Sequence, residues 1–281
     1  MERIRRIKKQ LRKEVLYFQY RYVTIQNRSV CIRDLLRKMS VADGTEACMF
    51  QILVCDDDKE IVEAIKIYLS AEGYGVITAG DGSEALNMIH QNTPHLLVLD
   101  IMMPVMDGYR LTRILRDEGY SFPILFLSAK TEDTDKIIGL NIGADDYITK
   151  PFQPLELIAR VKSALRRYTS FKNLSEPDTG SVFRIGGLEI NDDTKQVTVD
   201  GEPVKLTPTE YAMLLLLVKN PGRVYSTEQI YTEIWNEPSY GADNIVAVHI
   251  RHIREKIEIN PKEPRYLKVV WGLGYKIDWK E

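Results

Sequence analysis

Carboxylates follow two apolar segments that have the length of buried β-strands. Residues 52–55 are followed by three aspartates at 56–58, and residues 96–99 are followed by Asp100. Because the carboxyl ends of parallel strands meet at one edge of an open α/β sheet, we expect these acids to converge there. Carboxylates held close together repel one another, and a hard cation prefers oxygen ligands. The pattern therefore predicts a cation site at that edge.

Two further polar groups close the next two apolar segments. Ser128 ends the segment that begins near residue 123, and Lys150 follows the segment 145–148 and precedes Pro151. Transfer of a phosphoryl group depends mainly on positioning and on neutralising charge. Acids, a hydroxyl and a lysine at one edge therefore predict a phosphoryl-accepting site.

This constellation resembles the receiver domain of bacterial two-component response regulators, over residues 50–168. The motifs that carry the resemblance are the acidic cluster 56–58, the stretch Leu-Asp-Ile-Met-Met-Pro-Val-Met-Asp-Gly at 99–108, the pair Ser128-Ala129 and the pair Lys150-Pro151. The resemblance implies that Asp100 is the phosphoacceptor and that Mg²⁺ is the cofactor. The other implied roles are Mg²⁺ ligation by Asp56, Asp57, Asp100 and the Met102 backbone, contact with the phosphoryl group by Lys150 and Ser128, and an inward-swinging switch at Tyr147.

Two other classes of function remain as alternatives. A hydrolase that works through an aspartyl phosphate needs a second acid two residues after its nucleophile, but Met102 occupies that position. We therefore expect a phosphoacceptor switch with at most slow self-dephosphorylation and not an enzyme. A DNA-binding protein that uses the receiver only as a constitutive dimerisation module is the second alternative, and the complete set of acids with Lys150 disfavours it.

The composition is typical of a globular protein with two domains. The chain has 281 residues and a net charge of −2, so bulk charge gives no sign of nucleic-acid binding. Cys31, Cys48 and Cys55 are odd in number and lack a CxxC pair, which favours a reducing cytoplasm. The longest apolar run, 212–218, is much shorter than the roughly 20 residues of a membrane span. No membrane association is expected.

Residues 1–48 form a basic extension with twelve Lys or Arg residues and five Asp or Glu residues. Met49 stands directly before the segment where the receiver resemblance begins. We interpret Met49 as the native start, so that the extension results from an upstream start assignment. A basic arm that contacts DNA or an anionic surface is the alternative.

Four regions are predicted. After the extension, residues 49–168 alternate apolar runs with amphipathic stretches, which predicts five βα units around a parallel sheet. The receiver resemblance implies that this α/β sheet is doubly wound and flavodoxin-like. Residues 169–181 read as a linker. Residues 182–281 contain short alternating segments, three helical stretches and a glycine-turned hairpin, which predicts an α+β domain. Its first helix should begin at Thr207 with a capping box completed by Glu210.

This order of elements resembles the winged-helix DNA-binding domain of the OmpR/PhoB family. The matching motifs are Leu206-Thr207-Pro208-Thr209-Glu210, Asn220-Pro221-Gly222-Arg223-Val224, Val248-His249-Ile250-Arg251 and Gly272-Leu273-Gly274-Tyr275. His252 and the hairpin 271–276 also resemble regulators of the vancomycin-resistance type. In the last helix, Val246, Ile250, Ile253 and Ile257 have the spacing of a buried stripe. The residues expected to contact DNA are Asn244, Val248, His249, Arg251, His252, Arg254, Lys256 and, in the hairpin, Trp271.

The resemblance also implies partners. A sensor histidine kinase would phosphorylate the receiver, phosphorylated receivers would form a homodimer, and the dimer would bind double-stranded promoter DNA. The loop 236–243 would meet RNA polymerase in activators of this family. The dimer face is expected to contain Lys136, Ile137, Leu140, Asp146, Glu156 and Arg160.

Overall fold

The computed structural model describes residues 50–129, 142–172, 182–236 and 243–278. We call residues 50–172 the N-terminal domain and residues 182–278 the C-terminal domain. The extension 1–48, most of the linker and three residues of the predicted dimer face (Lys136, Ile137 and Leu140) lie outside the described residues. The elements of the N-terminal domain are β1 (Gln51–Cys55), α1 (Lys59–Ala71), β2 (Gly75–Ala79), α2 (Gly82–Gln91), β3 (Leu96–Asp100), α3 (Gly108–Asp117), β4 (Ile124–Ser128), β5 (Asp146–Thr149) and α4 (Pro154–Lys172).

The N-terminal domain is built on a five-stranded parallel sheet of order β2-β1-β3-β4-β5. This is the flavodoxin-like order, in which successive strands are added on one side of β1 and then on the other. The change of side, between β1 and β3, leaves a crevice beyond the carboxyl ends of the strands. Alternate residues of β1 pack on opposite faces: Ile52 and Val54 join the apolar cluster under α1 and α4, whereas Leu53 joins the cluster under α2 and α3. The predicted fold class, with five parallel strands, is confirmed.

Local signals explain where the first helix begins and ends. Asp58 caps α1 through a hydrogen bond that its side chain accepts from the Glu60 backbone N–H. Gly73 follows the end of α1 with a φ of +90°, a conformation that is common just beyond a helix and that glycine adopts without steric cost. The acidic run 56–58 therefore combines a helix cap with the two aspartates that face the edge of the sheet.

The C-terminal domain places three helices between a four-stranded antiparallel sheet and a two-stranded hairpin. Its elements are β6 (Val182–Ile185), β7 (Leu188–Asn191), β8 (Gln196–Val199), β9 (Glu202–Pro203), α5 (Pro208–Val218), α6 (Thr227–Trp235), α7 (Asp243–Ile257), β10 (Leu267–Val270) and β11 (Gly274–Ile277). The predicted capping box is present at α5: Thr207 and Glu210 exchange side-chain to backbone hydrogen bonds of 2.8 and 3.3 Å.

The last helix, α7, packs with its predicted stripe inward. Val246, Ile250, Ile253 and Ile257 are all buried in the apolar cluster of the C-terminal domain. Arg254 donates from Nε to the backbone oxygen of Leu267 at 3.0 Å, which ties α7 to the hairpin β10–β11. Among the described residues, no helix has both the length and the apolar character that crossing a bilayer requires.

Candidate functional site

Lys150 lies between two carboxylates at the carboxyl edge of the parallel sheet. Its Nζ donates hydrogen bonds to Asp56 Oδ2 at 2.6 Å and to Asp100 Oδ1 at 2.7 Å. Asp56 directly follows β1 and Asp100 ends β3, so the spacing of neighbouring strands sets the distance between the two acids. All three side chains are buried. The structure thus brings together the acids and the lysine that the sequence pattern placed at this edge.

The remaining carboxylate oxygens are oriented by the backbone. Asp56 Oδ1 accepts from the Asp58 N–H and Asp100 Oδ2 accepts from the Met102 N–H, both at 2.9 Å. A glycine is required at position 108, because a Cβ there would lie 2.4 Å from the backbone oxygen of Asp100. Gly108 in turn donates its N–H to the Ile101 oxygen at 3.0 Å. The loop after β3 is therefore held closely against Asp100.

The site has more negative charge than one lysine neutralises. Burial, together with the charge of Asp100, raises the pKa of Asp56 to about 6 despite the opposing effect of Lys150. Burial would lower the pKa of Lys150, but the carboxylates of Asp56 and Asp100 outweigh burial and hold that pKa above its ordinary value. Lys150 is therefore held in its charged form, and the remaining negative charge of the site can bind a second cation.

The three acids also fit a divalent metal ion. One carboxylate oxygen from each of Asp56, Asp57 and Asp100 can be chosen so that all lie within 4.8 Å of one another. Asp57 is exposed while the other two are buried, so the cluster is open to solvent on one side. An all-oxygen set of this kind suits Mg²⁺, which keeps several coordination positions for water or phosphate oxygens.

Ser128 and Tyr147 lie on the strands next to the acids. Ser128 is buried at the end of β4, and its backbone oxygen accepts from the Lys150 N–H at 2.6 Å. Tyr147 lies in the middle of β5, is half-buried, and packs against the apolar clusters of both domains. Tyr147 therefore connects β5, the strand that precedes Lys150, to the C-terminal domain.

The residues predicted to contact DNA fall into two groups. Arg251 and Trp271 are exposed, with Trp271 at 89% exposure on the hairpin turn, and Asn244 and His252 are half-buried. Arg251 pairs with Glu255 one turn away on α7 at 2.8 Å. These side chains are available to a ligand that approaches α7 and the hairpin.

The second group is engaged within the protein. Val248 and His249 are buried, which corrects the expectation that both lie on the open face of α7. His249 lies against the N-terminal domain, where its Nε2 donates to the backbone oxygen of Asp145 at 3.1 Å. Lys256 pairs with Glu210 at 2.6 Å, and Arg254 is half-buried and donates to the hairpin backbone.

Comparison with known proteins agrees with this geometry. Residues 52–162 match the family described as "Response regulator receiver domain", and residues 201–277 match "Transcriptional regulatory protein, C terminal". An uncharacterized transcriptional regulatory protein of Bacillus subtilis, YcbL, is 44% identical over 80% of this chain and 99% of its own length. The chain belongs to the OmpR/PhoB type of response regulators.

Other relatives place it in the same family. The regulatory protein VanR of Enterococcus faecium is 43% identical over 81% of this chain and 98% of its own length. The alkaline phosphatase synthesis regulator PhoP of Bacillus subtilis is 43% identical over 81% and 96% of the two chains. The fold of a RitR mutant, C128S, is similar with a TM-score of 0.66 at 24% identity, covering 82% of this chain and all of that one. The protein is a phosphorylation-dependent, DNA-binding response regulator, with the N-terminal domain as receiver and the C-terminal domain as effector.

The receiver and effector domains of this response regulator pack on each other through β5 and α4. Asp145 Oδ1 accepts from the Thr209 hydroxyl at 2.8 Å, and the Asp145 backbone oxygen binds His249. We define the domain interface by its polar contacts, which come from Asp145, Arg160, Ser163 and Arg167 in the receiver and from Thr209, Tyr231, Trp235, His249 and the Ile234 backbone in the effector.

The described residues of the predicted dimer face take part in this packing. Arg160 Nη1 lies 3.0 and 2.9 Å from the two oxygens of Asp146 and 3.2 Å from the Tyr231 hydroxyl of the effector. Arg160 also pairs with Glu156 at 3.2 Å. In this arrangement the effector covers part of the surface that was predicted to pair with a second receiver.

Sequence reasoning missed several residues of the domain interface. Asp145 is held by Arg116 at 3.0 Å on one side and contacts two effector helices on the other. Its contacts join residues 64 and 104 positions apart, and no local spacing pattern marks them. The one sequence signal for a special role of Asp145 was its place in the acidic pair Asp145-Asp146 at the start of an apolar strand. A turn at that point needs only one carboxylate, so the second was unexplained.

Proposed function

We propose that Asp100 accepts a phosphoryl group from a phosphohistidine of a sensor kinase, and that the phosphorylated protein dimerises and binds promoter DNA. The observation that carries this proposal is the position of Lys150 Nζ between Asp56 and Asp100 at the carboxyl edge of the sheet. A cation at that point can follow the negative charge as it moves onto the transferred group.

In this reaction a carboxylate oxygen of Asp100 attacks phosphorus. The bond between phosphorus and the donor's imidazole nitrogen breaks, and the imidazole leaves with the electron pair and takes up a proton. Lys150 would then pair with a phosphoryl oxygen, and the Ser128 hydroxyl would donate to another. Asp56, Asp57, Asp100 and the Met102 carbonyl would hold Mg²⁺, which neutralises phosphoryl oxygens when it is bound.

The protein acts as a switch and not as a turnover enzyme. The side chain two residues after Asp100 is Met102, which is exposed and cannot activate water as a carboxylate would. The acyl phosphate therefore persists until slow hydrolysis removes it. This supports a role in which the phosphorylated state itself is the signal, within the cytoplasm, where promoter DNA is found.

The effector would bind DNA through α7 and the hairpin. Arg251, Asn244 and His252 lie on the accessible side of α7 and can approach base edges, while the exposed Trp271 is placed for the adjacent minor groove. Pairing of two receivers would use the face that contains Asp146, Glu156 and Arg160, together with Lys136, Ile137 and Leu140. Residues 236–243 form the segment expected to meet RNA polymerase.

The test is phosphoryl uptake by the full chain with Mg²⁺ and acetyl phosphate, followed by intact mass and by light scattering after size exclusion. We expect one added phosphoryl group and a shift from monomer to dimer. Asp100→Asn should lose the uptake, whereas the matched variant Asp107→Asn, an exposed helix cap beside the site, should retain it. Equal labelling of Asp100→Asn would refute the acceptor assignment. No uptake by the wild-type chain would favour constitutive DNA binding.

A further inference from the structure

The hairpin β10–β11 carries two large apolar side chains at its tip. Trp271 is 89% exposed and Leu273 is 65% exposed. Between them lies Gly272 with a φ of +73°, and the Leu273 N–H donates to the Val270 oxygen at 2.9 Å to close the turn. We call residues 271–273 the hairpin tip. Because burial of apolar area is favourable, a partner that covers the tip gains free energy from both side chains.

The base of the hairpin is anchored to the rest of the effector. Tyr225 pairs with Tyr275 through two backbone hydrogen bonds of 2.9 Å and so lies beside β11. This close approach requires glycine at position 274, where a Cβ would overlap the Tyr225 oxygen. Gly222 adds a third hydrogen bond, from its N–H to the Ile277 oxygen at 3.0 Å. A tip on such a base gives up little conformational freedom when it contacts a partner.

The charge of the hairpin favours a polyanion as that partner. Residues 267–277 contain Lys268 and Lys276 and no Asp or Glu, and the two lysines are direct cross-strand partners. Like charges opposite each other in a sheet repel. Lys268 donates to the Pro264 backbone oxygen, and Lys276 lies 3.8 Å from the Asp278 carboxylate. A phosphate backbone beside the hairpin would relieve the remaining repulsion, which an apolar protein surface would not do.

The hairpin also has a fixed position beside α7. Arg254 on α7 donates from Nε to the Leu267 oxygen at 3.0 Å. Glu258, just after α7, accepts from the Tyr266 and Leu267 N–H groups at 2.9 and 2.8 Å. The exposed Arg251 lies one turn before Arg254 on the same helix. A duplex that receives Arg251 in its major groove therefore meets the hairpin at a constant distance along its axis.

We propose that Trp271, supported by Leu273, inserts from the minor groove into one base step of the bound duplex and partly unstacks it. This inference rests on the proposed function, because it needs the effector on double-stranded DNA. Apolar side chains that enter a step kink the duplex, and the wider contact that the bend allows offsets the cost of unstacking. The indole also stacks on a base that it uncovers.

Insertion gives the protein a sequence preference that needs no hydrogen bond to a base. Pyrimidine–purine steps are the most easily unstacked. Since the hairpin is fixed relative to α7, the effector selects such a step at one distance from the bases that Arg251 reads.

The test begins with DNA that the protein itself selects. The full-length chain, treated with Mg²⁺ and acetyl phosphate, recovers duplexes from a random-sequence library. Wild type and Trp271→Ala should recover the same half-site, but only the wild type should enrich a pyrimidine–purine step at a fixed distance from it. Trp271→Arg should enrich an A-tract there, because a narrow minor groove attracts arginine. Urea unfolding of the variants should match the wild type, since Trp271 is exposed.

Unstacking is measured with 2-aminopurine at the selected step of a duplex that contains one half-site. Its fluorescence should rise when the wild type binds and stay level with Trp271→Ala. That variant should bind about tenfold more weakly, through loss of stacking. The salt dependence of its binding should be unchanged, since no charge is removed. Ile259→Ala removes a similarly exposed apolar side chain from the loop after α7 and should behave like the wild type.

A level 2-aminopurine signal with the wild type would overturn the insertion, as would equal affinity of wild type and Trp271→Ala for the single half-site. A loss of affinity confined to duplexes with two half-sites would assign the tip to contact between neighbouring effectors and overturn it as well.

The proposed function is judged separately in the same experiment. Half-sites recovered by the wild type without an enriched step would leave DNA binding standing and remove the insertion. Recovery of no sequence by the wild type would remove the DNA binding on which both proposals depend. The mass of the protein before selection reports phosphoryl uptake independently of either result.

Discussion

The phosphoryl site and the domain interface are both buried and both contain a cation near carboxylates, but they differ in how completely those groups are paired. Lys150 has Asp56 and Asp100 at 2.6 and 2.7 Å. The polar partners of Arg167 are a hydroxyl and a backbone oxygen, and two of its nitrogens have none in the described part of the chain. Full pairing fixes the positions of Asp56, Asp100 and Lys150, whereas incomplete pairing makes the burial of Arg167 less favourable.

The difference in pairing also predicts how substitutions at the two sites change stability. Removing one partner from a buried ion pair leaves an uncompensated charge and is strongly destabilising. A buried group that already lacks partners adds little stability, and an apolar residue of similar size can replace it without loss. Substitutions at the phosphoryl site should therefore act mainly on folding and phosphoryl uptake, and those at the weakly paired part of the interface mainly on the arrangement of the domains.

The largest effect is expected for Lys150→Met. The substitution leaves Asp56 and Asp100 buried side by side without their cation, so the free energy of unfolding at pH 7 should fall by about 3–5 kcal/mol. Urea unfolding in metal-free buffer measures this loss, and the uptake assay should show no phosphoryl group. Lys66→Met, at an exposed position on α1, is the matched control and should unfold like the wild type. A loss below about 1 kcal/mol would contradict the view that Lys150 makes this acidic cluster tolerable.

A smaller loss is expected for Arg160→Leu, which tests the well-paired part of the interface. Burial would lower the pKa of Arg160, but the Asp146 carboxylate outweighs burial and holds that pKa above its ordinary value. Because the pair is largely shielded from water, the substitution should destabilise the protein by about 2–3 kcal/mol in urea unfolding. Arg184→Leu removes an arginine from an exposed pair with Glu189 and should cause no measurable loss.

Tyr231→Phe separates the two roles of Arg160. It removes only the hydroxyl that Arg160 contacts across the domains at 3.2 Å, so about 1 kcal/mol should be lost. If Tyr231→Phe destabilised the protein as much as Arg160→Leu, the contribution of Arg160 would lie between the domains and not in its pair with Asp146.

Much of the fold could be predicted from sequence because its signals are local. The central strands β1, β3 and β4 are short apolar runs whose two faces are both covered. The Thr207–Glu210 capping box and the α7 stripe each depend on residues within a few turns of one another. The strand order needed the family resemblance, since apolar runs alone do not say which strands are neighbours. The phosphoryl site was predictable for a related reason: parallel strands bring their carboxyl ends to one edge whatever the loops between them contain.

The domain interface could not be predicted in the same way. Ser163 and Arg167 are one turn apart on α4, but nothing in that spacing indicates that they meet the backbone oxygens at the end of α6. Val248 and His249 have the sequence of an exposed recognition helix, but Val248 is buried in the apolar cluster of the effector and His249 contacts the Asp145 oxygen of the receiver. Contacts between domains depend on surface shape and on the linker, and neither produces a periodic pattern in the sequence.

The smallest effect, a pH dependence of domain opening, tests the weakly paired part of the interface. Burial lowers the pKa of His249 in the packed arrangement, although the charges of Asp145 and Glu210 oppose this and that of His252 adds to it. In the open arrangement the imidazole returns toward its ordinary value of about 6.5. The packed state then binds fewer protons than the open state, so packing is retained above about pH 6.5 and is lost as the pH falls below it.

Small-angle scattering from pH 8 to pH 5.5 should show a rising radius of gyration in the wild type. The ratio of open to packed molecules should increase by at most about tenfold per pH unit below pH 6.5. His249→Gln keeps a side-chain donor for the Asp145 oxygen but does not titrate, so its response should be flat. His90→Gln, at an exposed position paired with Glu118, should respond like the wild type. An equal response in His249→Gln would show that His249 does not carry the pH effect, and the comparison between the two buried sites would then rest on Arg167 alone.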